Sequence, residues 1–199
     1  MTDTLVNVAD RQTLILRAAT KVIARRGVRG LRVEELAAEA GVSTALIYYH
    51  FKDRAGLLRR TLEFISDRAE RYTFDDAPAP GSPRAELEQA LLLELQDDPT
   101  VRENSTAWGE LRASAVFEPE LREQLGASTR YWVDSIAELV RRTAPDSATA
   151  PPLAIAERLT ALVEGLSQRW LSGSITLEYA RELLHQAIAA ELGEKLRPV

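Results

Sequence analysis

The chain has 199 residues, 45% hydrophobic and 28% charged, with a net charge of −5 at neutral pH and a pI near 5.3. It contains no cysteine and only two histidines, His50 and His185, which excludes disulfides, thiol nucleophiles, Cys-ligated zinc and a multi-histidine metal site, and no cofactor is implied. With neither a signal-like N-terminus nor an uncharged run of about 18 apolar residues, the expectation is a cytoplasmic protein without a membrane span.

Apolar residues recur with helical spacing from end to end and strand-like alternation is missing, so the predicted fold is all-α with about nine helices. Leu14, Ile15, Ala18, Ala19, Val22 and Ile23 mark a first helix that starts after Asp10 and stops at Gly27. Val33, Leu36, Ala37 and Ala40 give a second helix of about two turns. Gly41 ends it, because the residue just past a helix often needs positive φ. Ser43 can then cap a third helix by accepting from its first-turn N–H groups, so the chain restarts almost at once at a steep angle. Two helices joined this tightly form a helix-turn-helix, whose second helix enters the DNA major groove with its N-terminal residues toward base edges.

Those residues are Thr44, Ala45 and Leu46. Thr44 can hydrogen-bond a base edge or a phosphate, and Ala45 allows close approach or contact with a thymine methyl. Tyr48, Tyr49, His50, Lys52 and Arg54 offer donors that suit phosphate oxygens, which fix register rather than sequence. Other roles stay open: Tyr48 and Phe51 also suit core packing, and His50 suits either a phosphate contact or a packed ring.

A fourth helix opens near Asp53 and carries Leu57, Leu58, Thr61, Leu62, Ile65, Ala69 and Tyr72 on one face. The stretch 75–83, DDAPAPGSP, reads as a linker, after which Ser82-Pro83 supplies a cap and a first-turn proline for a fifth helix running to Asp97-Asp98. A sixth helix is predicted from Pro99 to Phe117 and a seventh from Pro119 to about Arg142. A second linker follows at 144–152, then helices near 153–172 and 176–192.

The stretch from Leu14 to Leu58 resembles the DNA-binding domain of the tetracycline-repressor (TetR) family of bacterial transcription regulators. The resemblance is carried by the apolar first helix ending near Arg25-Arg26-Gly27, LAAEAGVS at 36–43, YYHF at 48–51 and the following KDRAGLL. It implies a helix-turn-helix domain at 1–56 and a helical effector-binding and dimerisation domain at 57–199. It also implies phosphate contacts from Tyr48, Tyr49, His50 and Arg54. The chain departs from the family at Arg32, where Thr or Ser often caps the second helix, and at Ala45, where Gly is frequent; Arg32 can reach phosphate or the minor groove instead. The body is similar to the choline-responsive repressor branch through 98–121 and 162–173.

What the resemblance implies is a homodimeric repressor on a palindromic double-stranded operator, released by a small-molecule effector; activation by the same family architecture is the alternative. A single recognition helix reads few base pairs, so two copies on half-sites about one turn apart are expected. The last two helices are the expected dimer face, through Ile155, Leu159, Leu162, Leu166 and Trp170 on one and Leu177, Leu184 and Ile188 on the other. Trp108, Arg112, Phe117, Tyr131, Trp132 and Gln168 have the composition of an effector cleft, aromatic walls with a few polar heads. Glu110 or Glu164 would supply the counter-charge if the effector were a cation.

Charge is partitioned in the same sense. Residues 1–71 hold 13 Lys and Arg against 9 Asp and Glu, whereas 72–199 hold 12 against 21. A basic head on an acidic body confines phosphate attraction to the head. An all-α enzyme would need a carboxylate constellation, for which Asp97-Asp98 and Glu118/Glu120 are the nearest approach; they read better as residues of helix starts and solvated faces. A helical adaptor would use the same helix pair to bind protein, with little dependence on salt.

Overall fold

The computed structural model describes residues 2–75, 81–143 and 150–193, which form nine α-helices and no strand among the described residues. They are α1 (Thr2–Arg26), α2 (Val33–Ala40), α3 (Thr44–Phe51), α4 (Arg54–Glu70), α5 (Pro83–Leu92), α6 (Pro99–Ser114), α7 (Arg122–Thr143), α8 (Pro152–Leu171) and α9 (Leu177–Glu191). Wider turns continue α4 over Arg71–Asp75, and a tighter turn at Pro119–Leu121 precedes α7. Most of both expected linkers, 76–80 and 144–149, lies outside the described residues.

Four boundaries differ from the sequence expectation, one of them the start of α7, which opens at Arg122 and not at Pro119. Helix α1 begins at Thr2 rather than after Asp10, since no Pro or Gly stands upstream to stop it. Helix α5 ends at Leu92, well short of Asp97. Helix α6 stops at Ser114, and turns carry the chain from there to Glu118.

The chain divides into two compact units, Met1–Arg68 with Glu103–Gly126, and Ala69–Arg102 with Ala127–Val199. The division differs from the boundary read at 56/57, because most of α4 and most of α6 belong with α1–α3. In the first unit Ile15, Val22, Ile23, Leu36, Ile47, Leu58, Leu62 and Leu111 are at most 1% exposed and share one core. Each large apolar side chain buried in this way contributes roughly 2 kcal/mol. Buried Asn104 of α6 donates to the Ile65 carbonyl at 3.1 Å, joining α6 to α4.

The second unit has its own core, built from α5, α7, α8 and α9. Ser82 accepts from the Ala85 N–H at 3.2 Å with Pro83 in the first turn of α5, and Thr176 accepts from the Tyr179 N–H at 3.2 Å to start α9. The residues expected at the dimer face pack into this core. Ile155, Leu159, Leu166, Trp170, Leu184 and Ile188 are all buried within this single unit, and Leu162 and Leu177 are half-buried against the same core. The stripe reports contact with the chain's own helices. What α8 and α9 turn outward is a different set, with Leu153, Ala161, Gly165, Gln168 and Tyr179 exposed.

Candidate nucleic-acid interface

Helix α2 rests on α1 through buried Leu36 and Ala37. Three ion pairs hold it there: Lys21 at 2.5 Å and Arg25 at 2.7 Å reach the carboxylate of Glu39, and Arg26 reaches Glu35 at 3.3 Å. Hydrogen bonds from Lys21 and Arg25 keep the Glu39 carboxyl below the usual carboxylate range. Gly41 has φ 66° and ψ 34°, and its N–H and that of Val42 return to the Ala38 and Ala37 carbonyls at 3.3 and 3.0 Å. These two bonds satisfy carbonyls at the end of α2 that otherwise lack partners. A Cβ at Gly41 would meet nothing within 4 Å, so glycine is required here for its backbone angle and not for space.

Two residues later Ser43, with φ −80° and ψ 152°, accepts from the Leu46 N–H at 3.2 Å and starts α3. Ile47 and Phe51, at 1% and 4% exposure, anchor α3 in the core, which settles Phe51 as a packing residue. The opposite face points outward: Ala45 is exposed, Tyr48 is 49% exposed and Tyr49 is 79% exposed, while Thr44 and Leu46 are half-buried at the start of the helix. Arg32 makes no side-chain cap to α2 and is exposed, as is Lys52.

Lys52 adopts φ 65° and ψ −60°, with the Asp53 N–H donating to the Phe51 carbonyl at 2.8 Å across it. This is a three-residue γ-turn with positive φ, a strained conformation for a residue with a Cβ. Asp53 then caps α4 by accepting from the Gly56 N–H at 2.7 Å. The turn and the Asp53 cap let α4 start at Arg54, three residues after α3 ends.

Two of the expected phosphate donors have protein partners within the chain. Nδ1 of His50 lies 3.3 Å from the Gln12 amide on α1, and its Nε2 is buried without a hydrogen-bond partner. Arg54 donates through Nη2 to the Val28 carbonyl at 2.9 Å, and its Nη1 lies 3.1 and 3.3 Å from the two carboxylate oxygens of Glu118. Neither arrangement leaves a local sequence signal, because Gln12, Val28 and Glu118 are all remote in sequence.

The six expected effector residues fall in both units. In the first, the Arg112 guanidinium sits 5.4 Å from the Trp108 ring centre, and Phe117, 74% exposed, lies 5.8 Å from the Arg29 guanidinium. In the second, Tyr131 is 53% exposed with its hydroxyl on Glu70, Trp132 packs against the core, and Gln168 is exposed. Of the expected counter-charges, Glu110 accepts from the Val28 N–H at 3.1 Å, and Glu164 acts on a carboxylate that the sequence reading passes over, Glu94.

Glu94 accepts from the Tyr72 hydroxyl at 2.9 Å and the Thr73 hydroxyl at 3.1 Å. Burial pushes its carboxyl up to about 7, against the lowering effect of the two hydroxyls, and repulsion from Glu164 adds to the rise. A signal was present in the sequence: an acid alone inside the leucine run 91–95. Two of the carboxylates weighed for catalysis, Asp97 and Asp98, have local partners. Asp98 caps α6 through the Thr100 and Val101 N–H groups at 2.7 and 3.2 Å, and Asp97 pairs with Arg102 at 3.0 Å.

Residues 15–61 match the family described as bacterial regulatory proteins, tetR family, and residues 83–193 match the BetI-type transcriptional repressor C-terminal domain. The HTH-type transcriptional regulator BetI of Cronobacter sakazakii is 29% identical over 193 residues, covering 92% of this chain and 91% of that protein. BetI of Burkholderia mallei is 26% identical over 169 residues, 84% of each. Among solved structures, a TetR-family transcriptional regulator from Rhodococcus sp. is 47% identical with a TM-score of 0.85, over 92% of this chain and 99% of that one. A transcriptional regulator from Saccharomonospora viridis in complex with choline shares the fold at a TM-score of 0.79 and 24% identity, over 89% of this chain and 94% of that one.

Proposed function

The chain belongs to the tetR family of bacterial regulatory proteins and carries a BetI-type repressor C-terminal domain, and from that premise we propose that it represses transcription as a homodimer that lets go of a palindromic operator when a small molecule occupies the second unit. The family is one of DNA-binding regulators and not of enzymes. The observation that carries the reading is the division of α3 into two faces: Ile47 and Phe51 locked in the core, Ala45, Tyr48 and Tyr49 held outward on a capped helix of eight residues. A helix of that size, rigid behind and exposed in front, fits the major groove, with Thr44 and Ala45 toward base edges and the tyrosine hydroxyls toward phosphates. Arg32 and Lys52, both exposed, supply cations at its two sides.

Two copies are needed because one such helix discriminates too few base pairs against a genome of competing sites. The outward residues of α8 and α9 are the proposed contact, with exposed Leu153 and Tyr179 as apolar surface and Ala161 and Gly165 allowing close helix approach.

The effector proposed is a small cation. Glu94 supports this, since a carboxyl that burial disfavours as an anion, with Glu164 acting against it, gains most from a positive charge brought beside it. The regulator that shares this fold was solved with choline, a quaternary ammonium ion. Release then requires only that the effector bind one body geometry better than the other. The test is operator binding by the purified protein with and without choline. A mass twice that of the chain, with affinity lowered by the ligand, agrees with the proposal. A monomer whose affinity no cation alters contradicts it.

A further inference from the structure

The turn between α1 and α2 is held by side chains from far along the chain. Val28, fully buried in that turn, is bound at both of its backbone polar atoms: its N–H donates to Oε2 of Glu110 on α6 at 3.1 Å, and its carbonyl accepts from Arg54 at 2.9 Å. Arg54 in turn meets Glu118, just beyond the end of α6, at 3.1 Å. Gly27 makes room for this arrangement. A Cβ there would lie 2.6 Å from Oε2 of Glu110, and the residue already needs φ 71°. Ala107, Leu111, Ala115 and Leu121 add apolar contact from the same segment to the core that holds Ile23, Val28 and Leu31.

The connectivity gives these links a consequence. Helix α2 begins five residues after Val28, and α4 begins at Arg54, directly after the strained turn that ends α3. The recognition helix is therefore reached from both chain directions through groups that α6 and its tail hold in place. Neither Glu110 nor Glu118 lies on α2 or α3. A carboxylate on a buried backbone N–H and one on a guanidinium are charge-assisted bonds, roughly twice as strong as neutral ones.

We propose that Glu110 and Glu118 are positioning residues for DNA recognition, fixing α3 through Val28 and Arg54, and that Arg54 serves this clamp and not a DNA phosphate. The proposal rests on the reading of α3 as the DNA-binding helix. It separates two roles for Arg54 that are otherwise hard to tell apart. A phosphate contact contributes a released counterion, so its loss flattens the dependence of log affinity on log salt by about one unit; a positioning contact lowers affinity at every salt concentration and leaves the slope as it was.

The experiment uses the full-length protein and a duplex cut from a genomic fragment that the wild type retains, titrated by fluorescence anisotropy over a salt series well below the melting midpoint of each variant. At that temperature a loss of stability alone leaves affinity unchanged. Arg54→Ala and Glu118→Ala should each lower affinity roughly ten-fold, as expected for a hydrogen bond to a charged group, with the wild-type slope. The double variant should be no weaker than either single one. Glu110→Ala should lower affinity similarly and Glu110→Gln should recover most of it, because the amide oxygen still accepts from Val28. Should Glu110→Ala fail to fold, the Arg54 and Glu118 pair carries the test. The proposal is overturned if Arg54→Ala flattens the slope by about one unit while Glu118→Ala binds as tightly as wild type or more tightly. A wild type that retains no duplex at all overturns both this inference and the DNA-binding reading, whereas binding with that pattern of variants overturns the inference alone.

Discussion

Ser43 Oγ accepts the Leu46 N–H at 3.2 Å, and this single bond opens the recognition helix two residues after Gly41 has closed the previous one. Ser43→Ala removes the cap and should cost about 1 kcal/mol of stability. Ser43→Asp keeps an acceptor in place and should hold stability while setting an anion against the DNA. Chemical denaturation and operator titration on the two variants check this: Ala should weaken both readouts, Asp only binding.

Lys52 offers a second separation. Its φ of 65° and ψ of −60° cost a residue with a Cβ roughly 1–3 kcal/mol. Lys52→Gly relieves that strain against a loss of about 0.5–1 kcal/mol from the greater chain entropy of glycine. The expected outcome is a protein more stable by about 1 kcal/mol that binds DNA more weakly, with a salt slope reduced by about one. Unchanged DNA binding would remove Lys52 from the interface.

Glu94 predicts a pH dependence with a definite sign. Its carboxyl titrates near 7 in the folded protein against a reference of 4.5. Between those values the folded state keeps a proton that the unfolded chain releases, so the group's contribution is fully present below pH 4.5 and is lost as pH rises through 7. The stability difference between wild type and Glu94→Gln should therefore shift by about 3 kcal/mol against wild type across that window and stay level above it. Denaturant melts at closely spaced pH values measure it.

The same carboxyl sets the effector prediction. A cation that requires ionised Glu94 should bind about ten-fold more weakly one pH unit below the midpoint than well above it. Calorimetry with choline, and with 3,3-dimethylbutanol as its uncharged analogue, distinguishes charge from shape. Equal binding of the two, unaffected by pH, would place the cation preference elsewhere.

The parts of the fold that were legible in the sequence are those set by local physics. Gly41, Ser43 and the apolar spacing of Val33, Leu36 and Ala37 announce α2, the turn and α3 within eleven residues of chain, and the structure places those elements there. Helical stripes announce that a face is covered without saying by what, which is why Leu159 and Leu166 read as a dimer seam when the unit's own core takes them up. Partners remote in sequence leave no local mark: Arg54 and Glu118 are 64 residues apart. His50 shows the limit from the other side, since its ring was readable as packed or phosphate-bound, and only the position of Gln12 shows where its Nδ1 points.

The central claim is that the outward face of α3 lies against a duplex. The measurement that tests it most directly is a salt titration of operator affinity for the wild type beside Thr44→Ala and Tyr49→Ala, both at positions outside the buried core. The account predicts a linear fall of log affinity with log salt, a loss of sequence discrimination of about 1–3 kcal/mol for Thr44→Ala, and weaker binding on all duplexes for Tyr49→Ala. Affinity that ignores salt, with both variants indistinguishable from the wild type, would contradict it.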